Sequence, residues 1–261
     1  MKIQYYQCNS NGNDFKIILH ENNLDYSVFS IDTIRKICNY KKESSVDGLI
    51  LLNYKEDLAF MDYYNNDGSW ETFCLNGAIC SSFVLKNEFK KDDFDIISNK
   101  IRYKTINDQD NIVKVQIDKP VYKKRDIKIN YSCGNYLDSG AKHLVINYAY
   151  DWSNKKELKK IMEKMRYDKL FYPDGINVNF YKRINLDTIQ VKTYEKGIES
   201  LMDSCASGSF ACAYDYSKNS NIKSMKIIND GGDSNILFAN DYKRNFFSSK
   251  AIIEFKGNIE V

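Results

Sequence analysis

Short stretches in which apolar and polar positions alternate run along the whole chain, and each predicts a β-strand. A first set covers residues 1–7, 16–20, 49–52, 59–64, 94–96, 101–103 and 112–117. A second set covers 127–131, 144–146, 176–181, 188–194, 223–228 and 235–239. Apolar residues recur at helical spacing over 33–40, 78–85, 156–165 and 210–214. The third of these is amphipathic, with Leu158, Ile161, Met162 and Met165 on one face. Turns fall at Asn9-Ser10-Asn11-Gly12-Asn13-Asp14-Phe15, Asn65-Asn66-Asp67-Gly68-Ser69 and Pro173-Asp174-Gly175, where Asn, Asp and Gly accept turn dihedrals. Gly140-Ala141-Lys142-His143 is read as a loop ahead of the next strand.

The order strand, turn, short strand, cysteine, helix occurs once in each half of the chain. A pattern at that spacing predicts a duplicated architecture even though the two halves share little sequence. Lys119-Pro120-Val121-Tyr122, followed by the charged run Lys123-Lys124-Arg125-Asp126, marks the boundary. The expected domains are 1–118, with a tail strand over 251–261 returning to it, and 119–250.

Composition narrows the class. With 261 residues, 43% of them hydrophobic, and two prolines, the chain suits an ordered globular protein of two domains or one large one. Its 38 basic residues nearly balance 35 acidic ones, so no nucleic acid or other polyanion is expected as a partner. Lys41-Lys42 and Lys159-Lys160 read as solvated faces. No run approaches the ~20 apolar residues that a bilayer span needs, and the N-terminus lacks the apolar core of a signal peptide. Seven cysteines without dense secretory spacing fit thiols in a reducing compartment. The expected location is therefore the cytoplasm, away from membranes.

The candidate chemistry lies in two related stretches, Thr72-Phe73-Cys74-Leu75-Asn76-Gly77-Ala78-Ile79-Cys80 and Ser204-Cys205-Ala206-Ser207-Gly208-Ser209. Each sets a cysteine before small or polar residues and then an apolar helical run. A cysteine at a helix N-terminus sits at the positive end of the peptide dipoles, which lowers a thiol pKa from about 8.5. Two such cysteines on opposite sides of one carbon would suit racemisation, one removing the α-proton and the other returning it from the far face. First-turn amides would grip the carboxylate, with Asn76 and Ser207 capping or adding donors. The competing reading is that these cysteines are small buried hydrophobes, as expected for Cys80 and Cys212 within the helical runs. Cys8, Cys38 and Cys133 also read as structural. A zinc site is not expected, because the cysteine spacings are wide and only His20 and His143 are present.

Taken in order, these pieces resemble the diaminopimelate epimerase family over nearly the whole chain. Gly12-Asn13-Asp14-Phe15 resembles the family's opening motif. Asp47-Gly48 and Asn65 fall where an Asp-Gly pair and a substrate asparagine are expected. Cys74-Leu75-Asn76-Gly77 is similar to the first catalytic Cys-Gly-Asn-Gly, and Cys205-Ala206-Ser207-Gly208 to the second, Cys-Gly-Thr-Gly. Gly140 and His143 resemble part of a Gly-Asn-Pro-His loop, Asn177 a substrate asparagine, and Glu195-Lys196-Gly197 a Glu-Arg-Gly motif.

The resemblance implies an α+β fold of two pseudo-symmetric domains, each a mixed sheet curled around a central helix. It also implies interconversion of LL- and meso-2,6-diaminopimelate, on the route to lysine and peptidoglycan, with no cofactor and no metal. Cys74 and Cys205 would be catalytic. Asn13, Asn65, Leu75, Asn76, Gly77, Asn177, Glu195, Lys196, Ala206 and Ser207 would bind substrate, with His143 in support. The partner is then a small amino-acid substrate, and a homodimer is admitted as the assembly.

Some positions depart from the family pattern. Leu75 and Ala206 stand where glycines follow the cysteines, and Glu43-Ser44-Ser45 lacks glycines before Asp47. Ala141-Lys142 replaces Asn-Pro, and Lys196 replaces an arginine that would grip a carboxylate with a planar fork. These changes leave room for a racemase of another amino acid, or for a binding protein that keeps the fold without catalysis.

Overall fold

The computed structural model describes residues 2–21, 24–218, 220–239 and 244–261. Met1, in the first predicted strand, lies outside the described residues. The chain forms two compact units, Met1–Gln116 with Ser248–Val261, and Ile117–Phe247.

The first unit opens with strands β1 (Lys2–Ser10) and β2 (Asn13–His20), helix α1 (Ile31–Ile37), and strands β3 (Gly48–Lys55), β4 (Leu58–Asn65) and β5 (Trp70–Glu71). Helix α2 (Leu75–Phe89) and strands β6 (Asp93–Ser98), β7 (Ile101–Asn107) and β8 (Ile112–Ile117) complete this pass. The second unit contains β9 (Val121–Ile129), β10 (Ser132–Asp138), β11 (Lys142–Asn147), α3 (Lys155–Arg166), β12 (Asn177–Arg183), β13 (Thr188–Glu195) and β14 (Ser200–Met202). It continues through α4 (Ala206–Ser217), β15 (Ser224–Asn229) and β16 (Gly232–Leu237). Strand β17 (Asn245–Lys250) carries the chain back, and β18 (Ile252–Glu260) pairs antiparallel with β1.

The two units repeat one topology. In the first, β1–β2 is antiparallel, β2–β3 parallel, β3–β4 antiparallel, β4–β6 parallel and β6–β7 antiparallel, with β5 on β4. In the second, β10–β11, β11–β12, β12–β13, β13–β15 and β15–β16 follow the same alternation, with β14 on β13. Each parallel pair needs a crossover, and α1, α2, α3 and α4 supply one each. The duplicated mixed-sheet architecture expected from the sequence is therefore present.

Alternation within β3 shows how the sheet holds two layers. Ile50 and Leu52 pack with Ala78, Cys80 and Val84 of α2, whereas Leu49 and Leu51 pack with Ile34 and Ile37 of α1. Burial on both faces makes the strand apolar at successive positions, the mark of a covered central strand. Helix α2 is buried continuously from Leu75 to Leu85 and touches β1, β2, β3, β4, β6, β7 and β18. A helix surrounded in this way has no polar face to present, and its sequence shows none. Helix α3 instead covers one face of its sheet, with Leu158, Met162 and Met165 against Val178, Phe180 and Tyr194.

Helix α1 begins two residues earlier than expected because Ser30 caps it, accepting from the Thr33 amide at 3.2 Å. It stops at Ile37, whose carbonyl receives the buried Lys16 ammonium at 2.7 Å. Strand β9 starts at Val121, ahead of the expected 127. Its charged residues are exposed on an extended strand, so burial does not print an alternating pattern there. Lys142 and His143, read as loop, already belong to β11, where His143 pairs with Leu137 and Asn177. Cys133 is exposed rather than structural, while Cys8, Cys38, Cys80 and Cys212 are buried. Among the described residues, no helix is long and apolar enough to cross a membrane.

Helix α4 is tied to its sheet by one buried carboxylate. Asp215 accepts from Tyr122 at 2.7 Å, Asn135 at 2.9 Å, Tyr181 at 3.2 Å and Lys218 at 3.1 Å. Removing it strands the buried Tyr181 hydroxyl and three half-buried donors at once. The Asp215→Ala variant is expected to lose about 3 kcal/mol of stability, read from urea denaturation, whereas replacing exposed Glu71 in the same way is expected to change little.

Candidate active site

The site residues are built separately in each unit. In the first, Asn11 and Gly12 both adopt positive φ, 50° and 85°, closing a two-residue turn between β1 and β2. The turn delivers Asn13 to the start of β2. Its side-chain amide donates to Asp47 Oδ2 at 2.8 Å, and the Asp14 amide donates to the same oxygen at 3.0 Å. Asn13 Oδ1 in turn accepts from Asn76 Nδ2 at 2.5 Å. Asp47 thus fixes which way both asparagine side chains point. Asn76 Oδ1 is left buried without a hydrogen-bond partner among the described residues. The N-cap of α2 is Cys74 and not Asn76, which lies inside the first turn with its side-chain amide donating to Asn13.

Cys74 is itself the N-cap of α2, with extended backbone and its sulfur accepting from the Gly77 amide at 3.3 Å. A sulfur in this position takes up one of the donors that a buried helix start cannot give to water. Gly77 sits in a tight space. A Cβ there would lie 3.0 Å from Ile50 Cδ1 and 3.3 Å from Cys74 Cβ. Asn65, at the end of β4, accepts from Tyr63 at 2.8 Å and donates to Ser69 at 3.0 Å. Gly48 makes room for that arrangement, since a Cβ there would fall 2.5 Å from the Tyr63 ring.

In the second unit Cys205 is the N-cap of α4, and no side-chain cap bond is made from its sulfur. The sulfur lies 3.6 Å from Ser207 Oγ. Gly208 is confined even more tightly than Gly77, because a Cβ would sit 2.1 Å from Asn179 Oδ1 and 3.3 Å from Cys205 Sγ. Ser139 donates to the Ser207 carbonyl at 2.9 Å and ties the β10–β11 turn to the helix start. His143 is fully buried, 3.1 Å from Ser207 Oγ through Nε2 and 3.0 Å from Asn179 Nδ2 through Nδ1. Burial lowers its pKa from 6.5 to about 4, against the opposing pull of Asp138.

Asn177 accepts from the Lys196 amide at 2.8 Å and donates to the Lys142 carbonyl at 3.0 Å. It therefore joins the start of β11 to the turn that carries Glu195 and Lys196. That turn rests on Glu199, which accepts from the Gly197 amide at 3.0 Å, Arg166 at 2.9 Å and Tyr167 at 2.8 Å. Lys196 is exposed and Glu195 half-buried.

The departures at Leu75 and Ala206 resolve cleanly. Both are first-turn helical residues, buried, and neither has positive φ. A side chain there leaves the backbone amides in place. The sequence reading missed Asn179, Arg166, Tyr63 and Glu199. Asn179 had a signal: in Asn177-Val178-Asn179-Phe180 the polar residues occupy one strand face and the apolar residues the other. Arg166 and Glu199 had none, because a long-range ion pair leaves no local pattern.

No family model matches the chain. The diaminopimelate epimerase of Flavobacterium psychrophilum is 33% identical over 82% of this chain and 80% of its own. That of Aquifex aeolicus is 28% identical over 98% of each. A phenazine biosynthesis protein of the PhzF family from Enterococcus faecalis shares the fold across both full chains, with a TM-score of 0.77 at 12% identity. With this fold and these relatives, the protein is an isomerase of the epimerase and racemase class. Within that class, the chain belongs to the diaminopimelate epimerase family.

Two outcomes follow from the packing. Gly208→Ala is expected to cost about 1–3 kcal/mol through overpacking, while Ala206→Gly is expected to cost only about 0.5–1 kcal/mol through backbone entropy; urea denaturation separates them. His143 must charge when the chain unfolds in acid, so the unfolded state binds more protons between pH 6.5 and about 4. Its contribution is complete above the unfolded value and is lost as the pH falls through that window. Wild type is expected to lose about 3 kcal/mol there that a His143→Gln variant does not, as measured by denaturation across the pH series.

Proposed function

We propose that the protein interconverts LL- and meso-2,6-diaminopimelate without a cofactor. The observation that carries this reading is a cysteine at the N-cap of a buried central helix in each unit, in a chain of this family. One sulfur, as thiolate, removes the α-proton and becomes a thiol. The other thiol delivers its proton to the opposite face and becomes the thiolate. The two exchange roles with each direction of turnover, so no net proton is consumed.

The carbanion formed between these steps needs fixed donors. The first-turn amides at Leu75 and Asn76, and at Ala206 and Ser207, are suited to hold the reacting carboxylate and spread the developing charge, while the Gly77 amide is spent on the Cys74 sulfur. Asn76 adds a side-chain oxygen that suits an ammonium group better than a carboxylate. Asn13, Asn65, Asn177, Glu195 and Lys196 are proposed to select the distal amino-acid group. Asn177 does so in part through the backbone it holds, since its oxygen is committed to the Lys196 amide. The reaction would supply a precursor of lysine and peptidoglycan in the cytoplasm.

The exposed Lys196, which offers a point charge where the family pattern has a planar fork, favours a second reading. In it the same proton exchange acts on an amino acid lacking the distal carboxylate. A binding protein without turnover is the third outcome. Incubation in deuterated water with diaminopimelate isomers, lysine, proline and glutamate distinguishes the three. The expected result is α-deuterium incorporation into diaminopimelate alone, falling about a hundredfold to ten-thousandfold in Cys74→Ala and in Cys205→Ala. Exchange confined to another amino acid would replace the substrate assignment, and binding without any exchange would end the catalytic one.

A further inference from the structure

Asn179 lies beneath the start of α4, fully buried on β12. Its side-chain nitrogen faces three acceptors: His143 Nδ1 at 3.0 Å and the carbonyls of Leu144 and Asn177, both at 3.3 Å. Its oxygen accepts from the Thr193 hydroxyl at 2.9 Å. Two backbone carbonyls cannot face an amide oxygen, so the orientation of this amide is settled by its surroundings. The nitrogen therefore donates to His143 Nδ1, which must be unprotonated. The remaining proton of the neutral ring is then on Nε2, 3.1 Å from Ser207 Oγ. Ser207 Oγ accepts a hydrogen bond from that N–H and keeps its own hydrogen to donate, and Cys205 Sγ lies 3.6 Å away.

We infer that Asn179 is a positioning residue, which locks His143 in the Nε2–H tautomer and thereby turns the Ser207 hydroxyl toward the Cys205 sulfur as a donor. The inference rests on the reading of Cys205 as a reacting thiol. It gives α4 a side-chain donor to that sulfur, where α2 uses the Gly77 amide on Cys74. A hydroxyl so directed favours the thiolate over the thiol. The low proton affinity of buried His143 keeps the ring neutral around neutrality, which the relay needs. The other titratable groups nearby are Asp138 on β10, which acts on His143, Lys142 beside it on β11, and Cys212 and Asp215 further along α4. None of these bonds to His143 Nδ1, so Asn179 sets the tautomer.

The native chain decides the first point. It contains two histidines, so long-range nitrogen–proton correlation on labelled protein resolves both, and a His20→Gln variant assigns them. The expected state of His143 across about pH 6–8 is neutral with the proton on Nε2. A proton on Nδ1, or an imidazolium in that range, would overturn the inference.

The second readout is the ultraviolet absorbance of the Cys205 thiolate without substrate, taken as the difference between each protein and its Cys205→Ala counterpart. Ser207→Ala is expected to leave about tenfold less thiolate at a pH below the titration midpoint, and Ser207→Thr, which restores a hydroxyl, to match wild type. Asn179→Leu is expected to mix the His143 tautomers and move the titration in the same direction as Ser207→Ala. An unchanged titration in Ser207→Ala would overturn the relay even if Asn179→Leu failed to fold. Both readouts are independent of turnover. A protein inactive on diaminopimelate but with the expected tautomer and titration would count against the proposed substrate and not against this relay.

Discussion

A helix enclosed by its own sheet has nowhere to send the amides of its first turn. Most residues of these first turns are buried, and the strands around them have spent their hydrogen bonds on one another. Helices α2 and α4 both carry a cysteine at the N-cap and a glycine three residues on, but only the Cys74 sulfur takes up a first-turn amide, that of Gly77. Sulfur is a weak acceptor, so it answers the helix start only partly. The remaining donors are what an anionic group from outside would satisfy. A buried helix start with donors to spare is also what the proposed reaction would use to hold a developing negative charge.

Around each helix start, buried side chains are oriented by partners that do not themselves reach the chemistry. Asp47 takes the Asn13 amide, Asn13 takes the Asn76 amide, and an oxygen of Asn76 is left over. In the other unit Thr193 takes up the Asn179 oxygen, and Asn179 donates to His143. Each chain of bonds starts from a group with fixed donor or acceptor character, a carboxylate or a pair of carbonyls. It ends on a group whose polarity would otherwise be free. Because these groups are buried, a wrong orientation would leave an unsatisfied atom at a cost of about 1–3 kcal/mol, which is enough to hold the relay in one state.

Glycine has a packing role in this arrangement more than a conformational one. Gly77 and Gly208 lie within helices, where any residue can adopt the backbone; at Gly208 Asn179 occupies the space a Cβ would need, and at Gly77 the end of Ile50 would have to give way slightly. Leu75 and Ala206 are the converse. They stand where the motifs read from the family resemblance have glycine, yet their backbone is ordinary helix and their side chains find room in the core. The family pattern alone does not separate these two cases. The local geometry does, and it leaves the amides at both helix starts intact.

Local chemistry made the turns, most strands, the two cysteine-led helices and the repeated order of elements legible in the sequence. Each of these depends on neighbours within a few positions: Asn-Gly at a tight turn, alternation on a half-buried strand, a cysteine just ahead of a helical run. Strand β9 escaped because its exposed charges print no alternation, and His143 was read as loop because polar residues begin its strand. The roles of Asn76, Asn177 and Asn179 were decided only in the tertiary structure. An asparagine in sequence carries a donor and an acceptor in either order, and only partners brought from distant strands by the fold determine which end is spent and which is left to act.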